Sequence, residues 1–556
     1  MLDDPSLQQS VRLVHSQLKA GLLEEAELVC KQILSGHPDQ VETLVSFSVI
    51  RLRLDDAPGA LAAADRAVAL RPEAAETHNA RGNACFRLGI YDDAIKCYEQ
   101  AIAIRPDRAS FHSNLGSALE FVGRLDDAIA AFDRAIVLQP GLNAAEANRL
   151  FALHFHPACG PTKLLHELRE WAARVESALP GETAPHLNDR SLDRRLRIGY
   201  VSPDLRDHCL GRLMLPILRE HNSVAVELFC YSDAPKADPT TEPFRACADG
   251  WRDTLGLSDE KLARQVRADE IDILVDLTLH MSGSRLTMFA RKPAPVQVTY
   301  GGYPSGTGLR AIDYRLTDPY LDPPGVSDGW YAEQSIRLPD SFWCYVPVGP
   351  HLPVNPLPCE EAGFVTFGCL NNFMKVNDAA LRLWAKVLKT VDRSRLLLLA
   401  PIGSARLRTI EAFRSHGVSP DRIEFVAHQP REAYLQTYHR IDIGLDTFPY
   451  NGHTTSLDSF WMGVPVVTLV GKTSVGRAGW SQLSNLGLTE LAGQDQTQFV
   501  AIAAQLAEDR NRLRNLRQDL RPRMSHGPLT DPRRFARNME AAHRQMWRRW
   551  CERDEQ

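Results

Sequence analysis

Apolar residues in the first quarter of the chain follow the spacing of paired amphipathic helices, and the pattern repeats every 34 residues. Each unit closes on a proline that would stop its second helix, at Pro38, Pro72, Pro106 and Pro140. An alanine and a turn residue keep the same interval, at Ala26, Ala60, Ala94 and Ala128 and at Gly21, Asp55, Gly89 and Gly123. Gly82 and Gly116, also 34 residues apart, would let two helices approach closely.

A helix–turn–helix unit of this length is typical of the tetratricopeptide repeat. Such units stack into a superhelix, and the concave face of that superhelix commonly holds an extended peptide. Asn83 and Asn114 lie on the first helices of their units, where a side-chain amide could clamp a peptide backbone. With only two such asparagines, we favour the simpler interpretation that they are solvated helix residues.

From Leu196 the pattern changes to short β-rich apolar runs separated by helical stretches, which is typical of parallel sheets covered on both faces. Five runs come first: LRIGYVS, VELFCYS, IDILVDLT, VQVTYGG and DYRLTD. Five more come later: FVTFG, RLLLLAP, IEFVAH, IDIGLDTF and PVVTLVG. We therefore expect two five-stranded α/β lobes with a cleft between them, and ligands outside the carboxyl ends of the strands.

These patterns divide the chain into five parts. Residues 1–142 form the repeats, and 143–194 form helices that connect the repeats to the first lobe. Residues 195–345 form that first lobe, and 346–362 form a proline-rich linker. Residues 363–556 form the second lobe, which ends in a basic helix whose apolar residues we expect to serve packing. The predicted fold class is α plus α/β.

Composition narrows the possible functions. The chain has 44% hydrophobic and 24% charged residues, as in ordinary globular proteins, and its net charge of -5 gives no general attraction for nucleic acid. Eleven cysteines without metal-ligand spacing indicate a reducing compartment and no structural zinc. We see no signal peptide, and no apolar run approaches the ~20 residues of a membrane span. We expect a cytoplasmic protein.

The stretch from Asn451 to Val467 predicts a loop, a helix, a tight turn and a strand. It comes directly after the apolar strand run 441–448, and Thr454 and Thr455 open its helix. Unpaired N–H groups and the positive end of the dipole at a helix start suit a diphosphate. Asp458 comes one turn later on the same face, where it could accept hydrogen bonds from a ribose. The alternative is an ordinary capped helix.

Polar side chains also come after other predicted strands. His208 comes after the first strand, Asp276 and His280 after the third, and Lys375 after the first strand of the second lobe. No Asp-x-Asp pair for a metal–diphosphate occurs, so a leaving nucleoside diphosphate would need Lys375 and the helix start to meet its charge. Taken singly, Lys375 is better interpreted as a surface lysine and His280 as a satisfied loop histidine; their joint placement at strand ends favours a site.

Five motifs come after the repeats: YVSPD with the histidine after it, ILVDLT, RKPAPVQV, GYPSGTG and LDTFPYNGHTTSLDSFWMGVPVVTLVG. With these motifs and the repeats, the chain resembles the protein O-linked N-acetylglucosamine transferase family. The resemblance covers essentially the whole chain. It implies a GT-B pair of Rossmann-like lobes, a UDP-GlcNAc donor, Ser or Thr acceptors in proteins, inversion at the anomeric carbon, and neither metal nor other cofactor. The repeat groove would hold protein or peptide acceptors.

The resemblance also implies roles for individual residues. His208 and Lys375 would be catalytic, and His208 would lie beside the sugar with Gly302 and Pro304. UDP would be held by residues of the second lobe, namely Asn372, Lys375, Gln429, Arg431, His453, Thr454, Thr455 and Asp458.

The chain departs from the family pattern after the first strand, where Cys209 replaces a proline, and after the third, where Leu279 replaces a glycine. The identity of the general base stays open between His208, Asp276, His280 and none. Two other functions also stay open. One is transfer of glucose from UDP or fucose from GDP, since plant members of the wider family move fucose. The other is a nucleotide-binding repeat scaffold without turnover.

Overall fold

A computed structural model describes residues 5–179, 185–349 and 352–552 of the chain. The chain divides into two compact units. The first comprises Met1–Ala152 with Pro401–Leu407, and the second comprises Leu153–Ala400 with Arg408–Gln556. Among the helices of the described ranges, none combines the length and apolar character that a membrane crossing requires.

Four antiparallel helix pairs form the repeats, as the 34-residue period predicts. Their bounds are α1 (Pro5–Ala20), α2 (Leu23–Gly36), α3 (Val41–Arg53), α4 (Ala57–Leu70), α5 (Ala75–Arg87), α6 (Tyr91–Ile104), α7 (Ala109–Phe121) and α8 (Leu125–Leu138). The turn of each of the four pairs contains a residue with a left-handed φ, and Asp55 adopts 65° where the other units have glycine. A Cβ at Gly116 would lie 2.6 Å from the Phe132 ring, so glycine is required for the close approach of α7 and α8.

The repeat asparagines bond to one another. Asn114 Nδ2 donates to Asn79 Oδ1 at 2.9 Å and to Asn83 Oδ1 at 3.2 Å, and the Tyr98 hydroxyl donates to the same Asn83 oxygen. Both Asn83 and Asn114 are half-buried. The two residues are therefore partly solvated, as interpreted from the sequence, and they also link neighbouring repeats.

The first lobe is a seven-stranded parallel sheet in the order β3-β2-β1-β4-β5-β6-β7. Its strands are β1 (Leu196–Ser202), β2 (Val226–Ser232), β3 (Gly250–Asp253), β4 (Ile273–Asp276), β5 (Val296–Thr299), β6 (Tyr314–Thr317) and β7 (Gln334–Arg337). Two connecting helices precede the sheet and four more belong to it: α9 (Asn143–Leu153), α10 (Pro161–Ser177), α11 (Cys209–Arg219), α12 (Thr241–Cys247), α13 (Asp259–Ala268) and α14 (Leu286–Phe289).

The second lobe is a six-stranded parallel sheet in the order β10-β9-β8-β11-β12-β13. Its strands are β8 (Val365–Cys369), β9 (Ser394–Leu399), β10 (Ile423–Val426), β11 (Ile443–Leu445), β12 (Val466–Leu469) and β13 (Ala492–Gly493). Its helices are α15 (Pro358–Ala362), α16 (Asp378–Thr390), α17 (Ser404–Ser415), α18 (Arg431–Thr437), α19 (Thr454–Trp461), α20 (Ala478–Leu486), α21 (Gln496–Glu508) and α22 (Arg510–His526).

The expectation of five strands in each lobe is wrong. The first lobe has two further strands at its edges, β3 and β7, and the second lobe has one, β13. Each is short and has at most two apolar residues, because an edge strand needs no continuous apolar run. The last five residues of the expected linker, moreover, form the short helix α15.

The two lobes are joined by specific contacts beside their strand ends. From α20, the Ser481 hydroxyl donates to Asp318 Oδ2 at 2.6 Å, and Arg477 Nε donates to the Tyr320 carbonyl at 2.9 Å. Asp318 is fully buried and also accepts three backbone N–H bonds from its own lobe. The loops after β6 and β12 are therefore fixed against each other, next to the candidate site.

The final helix, α23 (Pro532–Glu552), comes after the second lobe but packs on the first. The Phe535 ring lies 6.2 Å from Tyr300, Glu540 Oε1 is 2.9 Å from His221 Nδ1, and Trp547 Nε1 donates to the Ser191 carbonyl. Its apolar residues therefore serve packing, as the sequence indicated.

Candidate active site

The polar side chains of the second lobe lie where its strand order reverses, between β8 and β11. In open α/β sheets this switch point is where ligands bind. Lys375 ends a short 3₁₀ turn after β8, and its Nζ donates to the Asn451 carbonyl, after β11, at 2.8 Å. The same ammonium lies 4.1 Å from the centroid of the Tyr450 ring. The structure thus places Lys375 beside the loop that leads into α19.

Burial lowers the pKa of Lys375 to about 8, against the opposing effects of Asp446, Cys369 and Cys209. At pH 7 roughly nine-tenths of the lysine is therefore protonated. A bound diphosphate would raise this pKa again, because an opposite charge favours the ammonium. Cys209, which acts on the pKa of Lys375, is the residue after His208 in the first lobe.

Asp446 fixes the loop before α19, and sequence reasoning missed it. Its Oδ1 accepts from the Gly452 N–H at 2.6 Å and from the Thr447 N–H at 2.8 Å, while its Oδ2 accepts from the Thr468 hydroxyl. Gly452 is required here, because a Cβ would lie 2.2 Å from Ser456 Oγ. A carboxylate near the end of the predicted strand 441–448, five residues before the first residue of NGHTT, was the available signal.

The start of α19 is built from the predicted residues. His453 occupies the N-cap position, and Thr454 and Thr455 are the first two helical residues. The Nε2 atom of His453 is buried without a hydrogen-bond partner. Burial, with the nearby charge of Lys375, holds the pKa of His453 well below its usual range, so the ring is neutral at pH 7. An unpaired ring nitrogen beside a helix start is available to a ligand.

Asp458 and Arg431 form a bidentate ion pair, with N–O distances of 2.6 and 2.5 Å. The Tyr345 hydroxyl donates to Asp458 Oδ1 at 2.7 Å, so that oxygen is saturated. Oδ2 accepts only from Arg431 among the contacts of the described residues and retains acceptor capacity. Asp458 is only 4% exposed, so this pair is part of the framework of the site as well as a candidate ligand.

The two remaining predicted UDP ligands differ in exposure. Gln429 is half-buried, and its amide donates to the Thr437 hydroxyl at 2.9 Å. Asn372 is exposed, and its side-chain oxygen caps the turn that carries Lys375 by accepting from the Met374 N–H. The structure therefore shows a local role for each residue.

In the first lobe, His208 caps α11: its Nδ1 accepts a hydrogen bond from the Leu210 N–H at 3.3 Å and lies 3.4 Å from Asp204 Oδ2. The side chain is 34% exposed. Burial lowers the pKa of His208, but Cys209 and Asp204 outweigh this and leave it raised. While Nδ1 accepts from Leu210, a neutral ring carries its proton on Nε2; to accept a proton there, His208 must adopt the other tautomer, with Nδ1–H facing Asp204 in place of the cap.

The other two candidate bases are loop anchors. Asp276 is 1% exposed and accepts hydrogen bonds from Thr278, Leu279 and Thr299. His280 is 1% exposed as well, and burial lowers its pKa to about 3. The side chains of Asp276 and His280 are both engaged away from solvent. Of the three candidate bases, His208 is therefore the most accessible.

The glycine-rich loop after β5 lies against the turn that holds Leu279. A Cβ at Gly302 would lie 3.0 Å from the Thr278 carbonyl, so the two loops are in close contact. Leu279 itself has a φ of 49°, a conformation that suits the glycine of the family pattern. The Pro304 carbonyl accepts a hydrogen bond from the Ser474 hydroxyl of the second lobe. Pro304 therefore lies at the junction of the lobes, two residues after Gly302.

Two sheets in Rossmann strand order, with polar groups from both brought to one junction, define the GT-B class of glycosyltransferases. The sequence profile of glycosyl transferase family 41 matches residues 179–353 and 357–539, more than half of the chain. The chain therefore belongs to this family. Tetratricopeptide repeat profiles match residues 82–120 and 109–141.

Relatives agree with this assignment. A probable UDP-N-acetylglucosamine–peptide N-acetylglucosaminyltransferase, SPINDLY, from Petunia hybrida is 39% identical over 418 residues, which are 74% of this chain and 45% of that protein. The protein SEC from Arabidopsis thaliana, which has the same activity in its name, is 33% identical over 373 residues, 64% of this chain and 38% of that one. This chain spans less than half the length of these plant relatives.

A mutant of the Thermobaculum terrenum O-GlcNAc transferase has the same fold over almost the whole chain. The TM-score is 0.87 at 37% sequence identity, and the match covers 92% of this chain and 98% of that one. The predicted architecture of repeats and two parallel-sheet lobes is thus confirmed.

Proposed function

We propose that this chain transfers N-acetylglucosamine from UDP-GlcNAc to Ser or Thr hydroxyls of proteins, with inversion and without a metal ion. The observation that carries the proposal is the fixed ammonium of Lys375 beside the start of α19. Family membership and the enzyme names of the relatives support the donor and the acceptor class.

In the proposed reaction, the acceptor oxygen forms a bond to the anomeric carbon on the side opposite the nucleotide. The bond between that carbon and the β-phosphate oxygen breaks, and its electron pair leaves with UDP. His208 Nε2 takes the hydroxyl proton in the tautomer whose Nδ1–H faces Asp204 and no longer accepts from Leu210. Lys375 meets the charge that grows on the β-phosphate.

The nucleotide would be held by groups that are already in place. Thr454, Thr455 and the unpaired His453 nitrogen would contact the phosphates, with the dipole of α19 directed at them. Asp458 Oδ2 would accept from a ribose hydroxyl, since Arg431 leaves it one acceptor site.

Independence from metal is a consequence of this assignment, because a preorganised cation and a helix start can together meet the diphosphate charge. Calorimetry of UDP binding in excess EDTA tests it. We expect unchanged affinity after chelation. Binding that EDTA abolishes and Mg²⁺ restores would contradict the proposal.

The donor is tested by a panel of UDP-GlcNAc, UDP-glucose and GDP-fucose. We expect UDP-GlcNAc to transfer to protein fastest, and UDP to stabilise the chain by about 2.7 kcal/mol at 100 times its dissociation constant. Faster transfer from another donor would reassign the sugar. Stabilisation by UDP without transfer from any of the three would instead favour the nucleotide-binding scaffold.

A further inference from the structure

Tyr450 lies at the centre of a group of rings next to Lys375, and it is only 5% exposed. The Phe155 ring is stacked on it with centroids 4.8 Å apart and planes at 30°. The His453 ring is stacked at 4.7 Å and 29°. The Lys375 Nζ lies 4.1 Å from the Tyr450 centroid. Tyr450 therefore contacts the ammonium while two other rings hold it in place.

The surroundings of Lys375 explain why this contact matters. Its hydrogen bond goes to the neutral Asn451 carbonyl, and burial works against its charge. The titratable groups that act on it are Asp446, Cys369 and Cys209, while His453 beside it is neutral. The face of an aromatic ring is electronegative and attracts a cation within ~6 Å.

We propose that Tyr450 is the positioning residue of Lys375, and that its ring, held between Phe155 and His453, directs the ammonium towards the start of α19 and favours its charged form. The proposal concerns the ring face, because the contact runs from Nζ to the ring centroid. The effect of Tyr450 on turnover rests on the proposed function, whereas its effect on the charge of Lys375 does not.

Three variants separate the ring from the rest of the side chain. Tyr450→Phe keeps the ring and loses the hydroxyl. Tyr450→Leu loses the ring while staying apolar, and Phe155→Leu removes one of the two rings that hold Tyr450. Phe413→Leu is the matched control, because Phe413 is fully buried in the same lobe on α17 and has no ring contact with Lys375 among the described residues.

The direct measurement is the charge of Lys375 itself. Only the free amine reacts with an acylating reagent, so the pH dependence of labelling, read by mass spectrometry, gives its pKa without any turnover. We expect Tyr450→Leu to lower this pKa by about one unit. Phe155→Leu should lower it less, and Tyr450→Phe and Phe413→Leu should keep the wild-type value.

Kinetics provide the second measurement. Lys375 must be protonated to act, so kcat/KM falls as pH rises through its pKa. In Tyr450→Leu the midpoint of this fall should move to lower pH, and kcat at pH 7.5 should drop roughly 10-fold or more. Tyr450→Phe should restore most of the lost rate.

The proposal is overturned if Tyr450→Leu folds and shows the wild-type labelling pKa, or if Phe413→Leu shifts that pKa as much as Tyr450→Leu does. Should Tyr450→Leu fail to fold, an unshifted Phe155→Leu would overturn it. A wild-type protein that transfers no sugar would defeat the proposed function and still leave the labelling comparison decisive.

Discussion

Replacing Lys375 by methionine tests the centre of the proposed mechanism. Methionine keeps an unbranched apolar side chain of similar length but removes the charge that lies 2.8 Å from the Asn451 carbonyl. The lysine also lowers the pKa of Asp446, which burial raises, so this pKa should rise further in the variant. Asp446 keeps its hydrogen bonds to Gly452, Thr447 and Thr468, and we therefore expect the loop to hold its shape.

The expected loss can be worked out from the burial of the ammonium. At an effective dielectric constant of 20, a unit charge 4 Å from another contributes about 4 kcal/mol. Removing one preorganised donor from such a site typically costs ~2.7 to 4 kcal/mol, or ~100- to 1000-fold in kcat. Because the phosphate gains charge as the bond breaks, most of this loss should appear in kcat and less in donor binding.

Single-turnover transfer from a labelled sugar nucleotide measures the chemical step, and calorimetry with UDP measures binding. Lys386→Met is the matched control, because Lys386 lies eleven residues further on, on α16, and is exposed. We expect Lys375→Met to bind UDP yet turn over ~100-fold slower or worse, and the control to resemble the wild type. A Lys375→Met variant with a near-normal rate and only a raised KM would show that the lysine merely holds the donor.

Other groups of the site can be tested by pH and by substitution. The pH profile of kcat/KM should be bell-shaped. The rate should rise as His208 loses its proton above pH 6.5 and fall as Lys375 loses its proton near pH 8. A flat profile would contradict both assignments. His208→Ala should lower kcat ~100-fold, and wild-type turnover would exclude an essential role. Asp458→Ala should destabilise the chain by about 3 kcal/mol in urea unfolding, because Arg431 is left unpaired, and adding Arg431→Met should recover part of that loss. Leu279→Gly should relieve about 1 kcal/mol of backbone strain but lose about 3 kcal/mol of packing, so its midpoint in urea should fall.

The repeats and the central strands could be predicted because each depends on a local pattern. The 34-residue period places the turn at Asp55 even where the glycine is absent, and its φ of 65° agrees. Strands in the middle of the sheets are continuous apolar runs. The edge strand QSIR of β7 has no such run, because one side of it has no neighbouring strand.

The candidate site was predicted only as far as strand ends locate it. Lys375 and NGHTT come after neighbouring strands, so the sheet brings them together. The pairing of Asp458 with Arg431 depends on how α18 and α19 pack, across 27 residues, and no local pattern encodes it. The contact of Tyr450 with Phe155 was missed for the same reason, since Phe155 lies in the segment between α9 and α10.

The position of α23 has a consequence for synthesis on the ribosome. Glu540 bonds to His221 across 319 residues of sequence, so the first lobe lacks one of its packing partners until α23 has been translated. At about 5 to 20 residues per second, that interval lasts roughly 15 to 60 s. Because α23 also contacts α11, the face of α11 that it will cover is open to water and to other nascent chains throughout that interval. The first lobe therefore completes its packing only after the second lobe has been made.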